Sequence, residues 1–141
     1  MMATADLLEL VQEVIASIKP DSDRDYMAEL RFFFPDTLLL SALDLIDRES
    51  VLKYVTPWGS SRYEVIGSTA MYSVFPGLRT SKSRLQVYCT CPAYSYSVLI
   101  SESHLMCKHV LAILLAERLS NCIERPVSQD DLASIVVRQC S

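Results

Sequence analysis

The chain has 141 residues, a length that fits one domain or one domain with a short helical extension. Half of its residues are hydrophobic and its net charge is −4, so it lacks the broad positive surface of a free-standing DNA-binding protein. Its five cysteines show no regular spacing that suggests a disulfide framework, and no apolar run reaches the roughly 18 to 20 residues of a membrane span. Because no basic segment precedes a long apolar segment at the N-terminus, we expect no signal peptide and a reducing compartment.

The first part of the chain, residues 1–48, is predicted to be a helical region. Apolar residues recur at helical spacing in Leu7–Ile18, and this helix should stop before Pro20, because the residue before a proline disfavours the helical conformation. A second, short helix is expected within Tyr26–Phe34. The stretch Leu38–Ile46 is apolar at nearly every position, which predicts a third helix that is buried on most sides.

The spacing of apolar residues changes from helical to strand-like in residues 49–120, which are predicted as a second unit. Short β-like stretches separated by turn residues predict four strands of an antiparallel meander: Val51–Val55, Tyr63–Val65, Met71–Phe75 and Leu85–Cys89. After the meander, Val110–Leu119 is almost wholly apolar and predicts a helix that must be covered on all sides. Residues 121–141 are predicted to contain a C-terminal helix that starts at Ser128, a candidate N-cap. The predicted fold class is therefore α+β, with helices flanking a small antiparallel meander.

Four residues at the end of the meander form the pattern Cys-x-Cys, fifteen residues, Cys-x-His: Cys89, Cys91, Cys107 and His109. Three thiolates and one imidazole complete the tetrahedral shell of a zinc ion and leave no position for water or substrate. Residues two apart on a strand share a face, so Cys89 and Cys91 can present both sulfurs on one side. Residues two apart on a helix do not share a face, so Cys107 is expected just before a helix and His109 in its first turn. We therefore predict a structural zinc ion between a strand end and a helix start.

Other interpretations of these residues are weaker. If these were ordinary buried cysteines beside an unrelated histidine, Cys-x-Cys and Cys-x-His would have to occur together by chance. A disulfide between Cys89 and Cys91 would close a tight ring with poor geometry. His104 rivals His109 but lies inside the loop between the pairs, and Cys122 lies about 20 Å beyond His109 along a continuous helix. A zinc hydrolase or deaminase needs an open position on the metal and a general base. Four ligands leave no open position, and the only nearby carboxylate before Cys107 that could act as a base is Glu102.

The run Cys89–Tyr94 followed by Cys107–His109 resembles the SWIM zinc finger, whose pattern is Cys-x-Cys, a variable gap and Cys-x-His. The segments Ala42–Arg48 and Tyr94–Leu99, together with the total length, are similar to the small SWIM-domain subunit of the Shu complex, which works in homologous recombination. The resemblance covers most of residues 38–120. The zinc ligands of the family correspond here to Cys89, Cys91, Cys107 and His109.

This resemblance implies a nuclear, non-enzymatic subunit that binds a RecA-like recombinase paralogue and promotes recombinase assembly on single-stranded DNA. It implies no membrane and no small-molecule substrate. The apolar stretches Leu38–Ile46 and Val110–Leu119 agree with it, because surplus apolar surface fits an obligate heteromer. The alternative function is autonomous binding of single-stranded nucleic acid by a basic and aromatic patch. The candidate residues of that patch are Arg79, Lys82, Arg84, Lys108, Tyr88, Tyr94 and Tyr96.

Overall fold

A computed structural model describes residues 4–19, 26–58, 61–67, 70–75, 88–100 and 105–140. The helices are α1 (Thr4–Ala16), α2 (Met27–Leu30), α3 (Asp36–Asp47), α4 (Lys108–Leu119) and α5 (Gln129–Cys140). The strands are β1 (Val51–Val55), β2 (Ser61–Ile66), β3 (Met71–Phe75), β4 (Tyr88–Cys89) and β5 (Ile123–Pro126), and a π-helix spans Tyr94–Ile100. The predicted α+β class is confirmed.

The described strands form one sheet in the order β4-β3-β2-β1-β5. Strands β1 to β4 are the antiparallel meander that the sequence predicts, and β1 and β3 have the predicted bounds. Of the predicted fourth strand, Tyr88–Cys89 are in β4, and residues 85–87 lie outside the described residues. Strand β5 adds to the free edge of β1 in parallel, with Leu52 opposite Ile123, and this strand is not among the predicted ones.

The helices lie close to their predicted positions. Helices α1 and α3 begin a few residues earlier than the apolar stretches that predict them, and α2 has only 4 residues. Helix α5 starts after Ser128, as predicted. The Asp131 backbone N–H donates a hydrogen bond to Ser128 Oγ at 3.2 Å, and the Ser128 backbone N–H donates to Asp131 Oδ2 at 3.3 Å. These reciprocal bonds fix the first turn of α5 because they satisfy amides that the helix itself leaves unpaired.

Helix α4 lies at the centre of the fold, and this corrects the expectation that its apolar surface meets a partner. It contacts α1, α3 and the strands β1, β3 and β4, so the chain covers this helix itself. Near its end, Arg118 Nε donates a hydrogen bond to the carbonyl oxygen of Ile18 at 2.6 Å, which attaches the end of α1 to α4. The residues of α4 with no exposed surface are Val110, Leu111, Ala112, Ile113, Leu115 and Ala116.

The apolar surface that remains exposed lies on other elements. Within the described residues, five large apolar side chains are more than half exposed: Phe32, Leu40, Trp58, Tyr96 and Val137. Leu40 is the one that belongs to the stretch Leu38–Ile46, whose other apolar side chains are buried or half-buried. A search of the described helices for a stretch with the length and hydropathy of a membrane span finds none.

Candidate metal centre

The four side chains that the sequence predicts as zinc ligands come together where β4 meets the start of α4. Their ligand atoms all lie within 4.8 Å of one another, and all four side chains are buried. Cys89 ends β4 and Cys91 follows it, while Cys107 occupies the N-cap position of α4 and His109 lies in its first turn. The sequence therefore predicted both the cluster and the element that carries each residue.

The first pair is positioned by the end of the β3–β4 ladder. Ser73 donates its backbone N–H to Thr90 Oγ1 at 3.0 Å, and the Thr90 N–H donates to the Ser73 carbonyl at 3.1 Å, so pairing continues one residue past β4. Pro92 cannot donate to a ladder, and the chain turns there into the π-helix. The first amide of that helix, Tyr94 N–H, donates to Cys91 Sγ at 3.3 Å and stabilises negative charge on this sulfur.

The second pair is positioned by the start of α4. Cys107 has extended backbone angles, φ −82° and ψ 169°, and its carbonyl accepts the Leu111 N–H at 3.1 Å. An extended residue followed by a helical turn brings the Cys107 sulfur and the His109 imidazole to the same cluster, which two residues inside a helix would not do. Hydrogen bonds from Cys89 and from the Val110 amide favour the thiolate form of Cys107, but hydrogen bonding to Cys91 and burial outweigh them and raise the pKa of Cys107 from 9.0 to about 12.

Three sulfurs packed this closely compete for protons. Hydrogen bonds from Cys107 and Cys89 hold the pKa of Cys91 well below its ordinary value. Hydrogen bonding to Cys107 and to Cys91, together with burial, raises the pKa of Cys89 far above its ordinary value. The protein alone therefore stabilises one thiolate and opposes further ionisation. A divalent cation removes this opposition, because it neutralises two of the three negative charges that zinc ligation requires.

The imidazole of His109 gives an independent test of fit. Its Nδ1 is buried and has no hydrogen-bond partner among the described residues. The imidazole also hydrogen-bonds to Cys91, so Nε2 is the nitrogen that faces the sulfurs and is available as a metal ligand. Three thiolates and one imidazole are a donor set that structural zinc sites use, and the burial of all four fits a closed site. The cluster can thus bind structural zinc, which would join a strand end to a helix start.

The other candidates from the sequence do not join this cluster. Cys89, Cys91, Cys107 and Cys122 are free thiols, so Cys89 and Cys91 are not joined in a disulfide. Cys122 donates to Glu117 Oε1 at 3.6 Å and is absent from the metal cluster. Lys108 is exposed between two ligands. Five further candidates lie outside the described residues: Arg79, Lys82, Arg84, Glu102 and His104.

One neighbour of the cluster is missed by the sequence reasoning. The ring of Tyr72, on β3, lies against the ring of His109 with 4.7 Å between the centroids. The signal for this contact was present in the strand pattern, because residues two apart share a face and Val74 pairs with Cys89. Tyr72 therefore faces the same side of the sheet as the first zinc ligand.

A buried Cys-x-Cys and Cys-x-His cluster, joining the end of a small meander to the start of a helix, defines a compact zinc finger. The family described as SWIM zinc finger matches residues 72–117, which run from β3 through the cluster into α4. The chain belongs to this SWIM zinc-finger family.

Its relatives include several proteins named zinc finger SWIM domain-containing protein 7. The chain is 37% identical over 133 residues to the protein of Mus musculus, which covers 92% of this chain and 81% of that protein. It is 35% identical over 134 residues to the protein of Danio rerio, an alignment that covers 94% of this chain and 89% of that protein. A homologue from Dictyostelium discoideum is 30% identical over 122 residues, with 84% and 72% covered. No solved structure matches the chain.

Proposed function

We propose that this protein is a non-catalytic subunit of a Shu-type recombination-mediator complex in the nucleus. In this proposal it binds a RecA-like recombinase paralogue, and the complex promotes recombinase assembly on single-stranded DNA. The observation that carries the proposal is the closed set of four buried donors. A zinc ion held by all four has no open position for a substrate, so its role is to shape a surface rather than to perform chemistry.

The exposed side chains support a protein partner. Phe32 is 84% exposed although its ring lies 5.2 Å from that of Phe33, and Leu40 on the following helix is more than half exposed. Aromatic side chains are enriched in protein interfaces, where their burial contributes much of the binding free energy. The region around α2 and the start of α3 is therefore our candidate for the partner surface, in place of the buried α4.

Co-expression with a RecA-like ATPase paralogue tests this proposal. We expect the two chains to purify as a stoichiometric complex, and we expect Phe32→Ala to weaken it at least tenfold without loss of bound zinc. Glu29→Ala, an exposed change on the neighbouring α2, is the matched control and should bind normally. Separate elution of the wild-type chain and the ATPase would contradict the proposal. Normal binding by Phe32→Ala would remove the surface assignment.

A second candidate function, autonomous binding of single-stranded nucleic acid, is favoured by one group of aromatic rings. Phe75 and Tyr88 are 38% and 44% exposed, and their ring centroids lie 6.2 Å apart. The segment that joins these two residues, 76–87, contains three basic residues in its sequence. Exposed rings beside basic residues suit single strands, since stacking of a base on an aromatic ring contributes about 1 to 3 kcal/mol. Tyr94 is only 4% exposed, which corrects its expected role: it packs against Tyr88 and does not offer its ring to a base.

Titration of the partner-free protein against a fluorescent oligothymidylate tests this second candidate. Binding should weaken steeply with added salt, and Tyr88→Ala should reduce it about tenfold. Trp58→Ala removes a ring that is 58% exposed on another hairpin and should have little effect. No binding at low salt would eliminate this candidate and leave the first one intact.

A further inference from the structure

A histidine that binds a metal is usually oriented by a hydrogen bond from its other ring nitrogen to a carboxylate or a carbonyl. Such a bond fixes the rotation of the ring, which a single metal contact does not. The Nδ1 of His109 has no hydrogen-bond partner within the described part of the chain. Among the described residues, the contacts that can orient this imidazole are therefore packing contacts.

The packing is supplied by Tyr72. Its ring centroid lies 4.7 Å from that of His109, with 40° between the planes, so the two rings pack against each other at a tilt. Tyr72 is held in β3 by pairing with Val65, a residue of β2 that has no exposed surface. Because the tyrosine sits on a paired strand, its ring is a fixed surface against which the imidazole can rest.

The ring of Tyr72 is in turn seated against Gly67. A Cβ atom at Gly67 would lie 2.7 Å from Tyr72 Cε2 and 2.8 Å from the Ala70 carbonyl oxygen, both closer than real Cβ contacts. The missing side chain at this position therefore leaves the space that the ring occupies. Gly67, Tyr72, Cys91 and His109 all line one cavity of about 580 Å³, so the glycine, the tyrosine ring and the candidate ligands meet at one place on the surface.

We propose that Tyr72 is a positioning residue of the zinc centre. Its ring, seated against Gly67, holds the imidazole of His109 in the orientation that ligates the metal. The contact extends the zinc centre to the β2–β3 hairpin, upstream of the first cysteine. This proposal requires the zinc site alone and does not depend on the identity of a partner.

Zinc affinity and the absorption bands of bound Co²⁺ test the proposal in three variants. Tyr72→Leu removes the ring and should lower zinc affinity about 10- to 100-fold, the range that loss of an orienting contact produces. It should also shift the Co²⁺ bands, because the nitrogen ligand moves. Tyr72→Phe keeps the ring and should restore both readouts to within about threefold of the wild type. Tyr54→Leu removes another half-buried tyrosine of the same sheet and should change neither.

Wild-type affinity and spectrum in Tyr72→Leu would overturn the proposal. An equal loss in Tyr72→Phe would assign the effect to the hydroxyl group, and an equal loss in Tyr54→Leu would assign it to general destabilisation; either result overturns it. If Tyr72→Leu does not fold, Gly67→Ala tests the contact from its other side, because the new methyl group displaces the ring. A changed Co²⁺ spectrum in folded Gly67→Ala supports the proposal, and an unchanged spectrum contradicts it.

Discussion

The replacement Cys107→Ser tests whether zinc supports the fold. Serine has the shape of cysteine but lacks the thiolate, so the variant removes one donor from the start of α4 and leaves three. Structural zinc binds finger peptides with apparent free energies of about 10 to 16 kcal/mol at neutral pH. Divided over four ligands, each donor contributes about 2.5 to 4 kcal/mol, so we expect zinc affinity to fall roughly 10²- to 10³-fold.

The loss of affinity converts into a loss of stability. At a zinc concentration of about 1,000 times the dissociation constant, bound zinc stabilises the folded state by about 4.1 kcal/mol, and at ten times by about 1.4 kcal/mol. A hundredfold loss of affinity therefore removes about 2.7 kcal/mol, a large share of the roughly 5 to 15 kcal/mol typical of a domain. At roughly 3 to 4 °C per kcal/mol, the melting temperature should fall by about 10 °C.

The assay is elemental analysis of the purified protein combined with thermal unfolding followed by circular dichroism, with and without a chelator. Cys122→Ser is the matched control, since it changes a half-buried cysteine that lies outside the cluster. The control should keep one zinc ion per chain and should lose stability on addition of the chelator, as the wild type does. Full zinc occupancy and an unchanged melting temperature in Cys107→Ser would refute the reasoning.

The other predictions concern pH, the core and one helix end. Burial is the main cause, and the negative charge of Glu117 the second, of a pKa of Cys122 that is raised from 9.0 to about 12. Between these pH values the unfolded state binds fewer protons than the folded state, so the free energy of unfolding should fall as pH rises from 9 to 12, and less steeply in Cys122→Ala. Leu111→Ala leaves a cavity where α4 is fully buried and should cost about 2 to 5 kcal/mol in urea unfolding. Ser120 ends α4 at φ 59°, a left-handed angle that strains residues other than glycine, so Ser120→Gly should raise the free energy of unfolding by about 1 kcal/mol.

Each of these predictions has a result that contradicts it. A pH profile in Cys122→Ala that is parallel to the wild type would show that this thiol does not titrate differently on unfolding. Leu40→Ala, on the exposed side of α3, should change stability by less than about 0.5 kcal/mol, and a loss equal to that of Leu111→Ala would contradict the burial argument. A lower melting temperature in Ser120→Gly would mean that the serine side chain contributes more than its backbone strain costs.

The zinc cluster was predictable because its pattern is local. Two residues of the same strand end and two at a helix start carry the ligands, so period-2 geometry and the rule for helix faces were enough to place Cys89, Cys91, Cys107 and His109. The contact from Tyr72 required the register of β3 against β4, in which Val74 lies opposite Cys89. That information is in the pairing of β3 with β4, not in the motif.

Strand β5 and the cover of α4 were not predictable in the same way. The sequence of β5, Ile123–Pro126, contains two charged residues and a proline, and it is a strand because β1 offers it a free edge. The apolar stretch Val110–Leu119 correctly predicts a helix that must be covered. Whether the chain or a partner covers it depends on how α1, α3 and the sheet surround it, which the period of a single helix does not encode.

The parallel pairing of β1 with β5 sets an order of events during synthesis of the protein. Leu52 leaves the ribosome about 70 residues before its partner Ile123, an interval of roughly 4 to 14 s at ordinary translation rates. All four cysteine and histidine ligands are made within that interval. The nascent chain therefore carries a complete set of metal donors before the last edge of its sheet exists, and the edge of β1 stays open to other chains until Ile123–Pro126 are made.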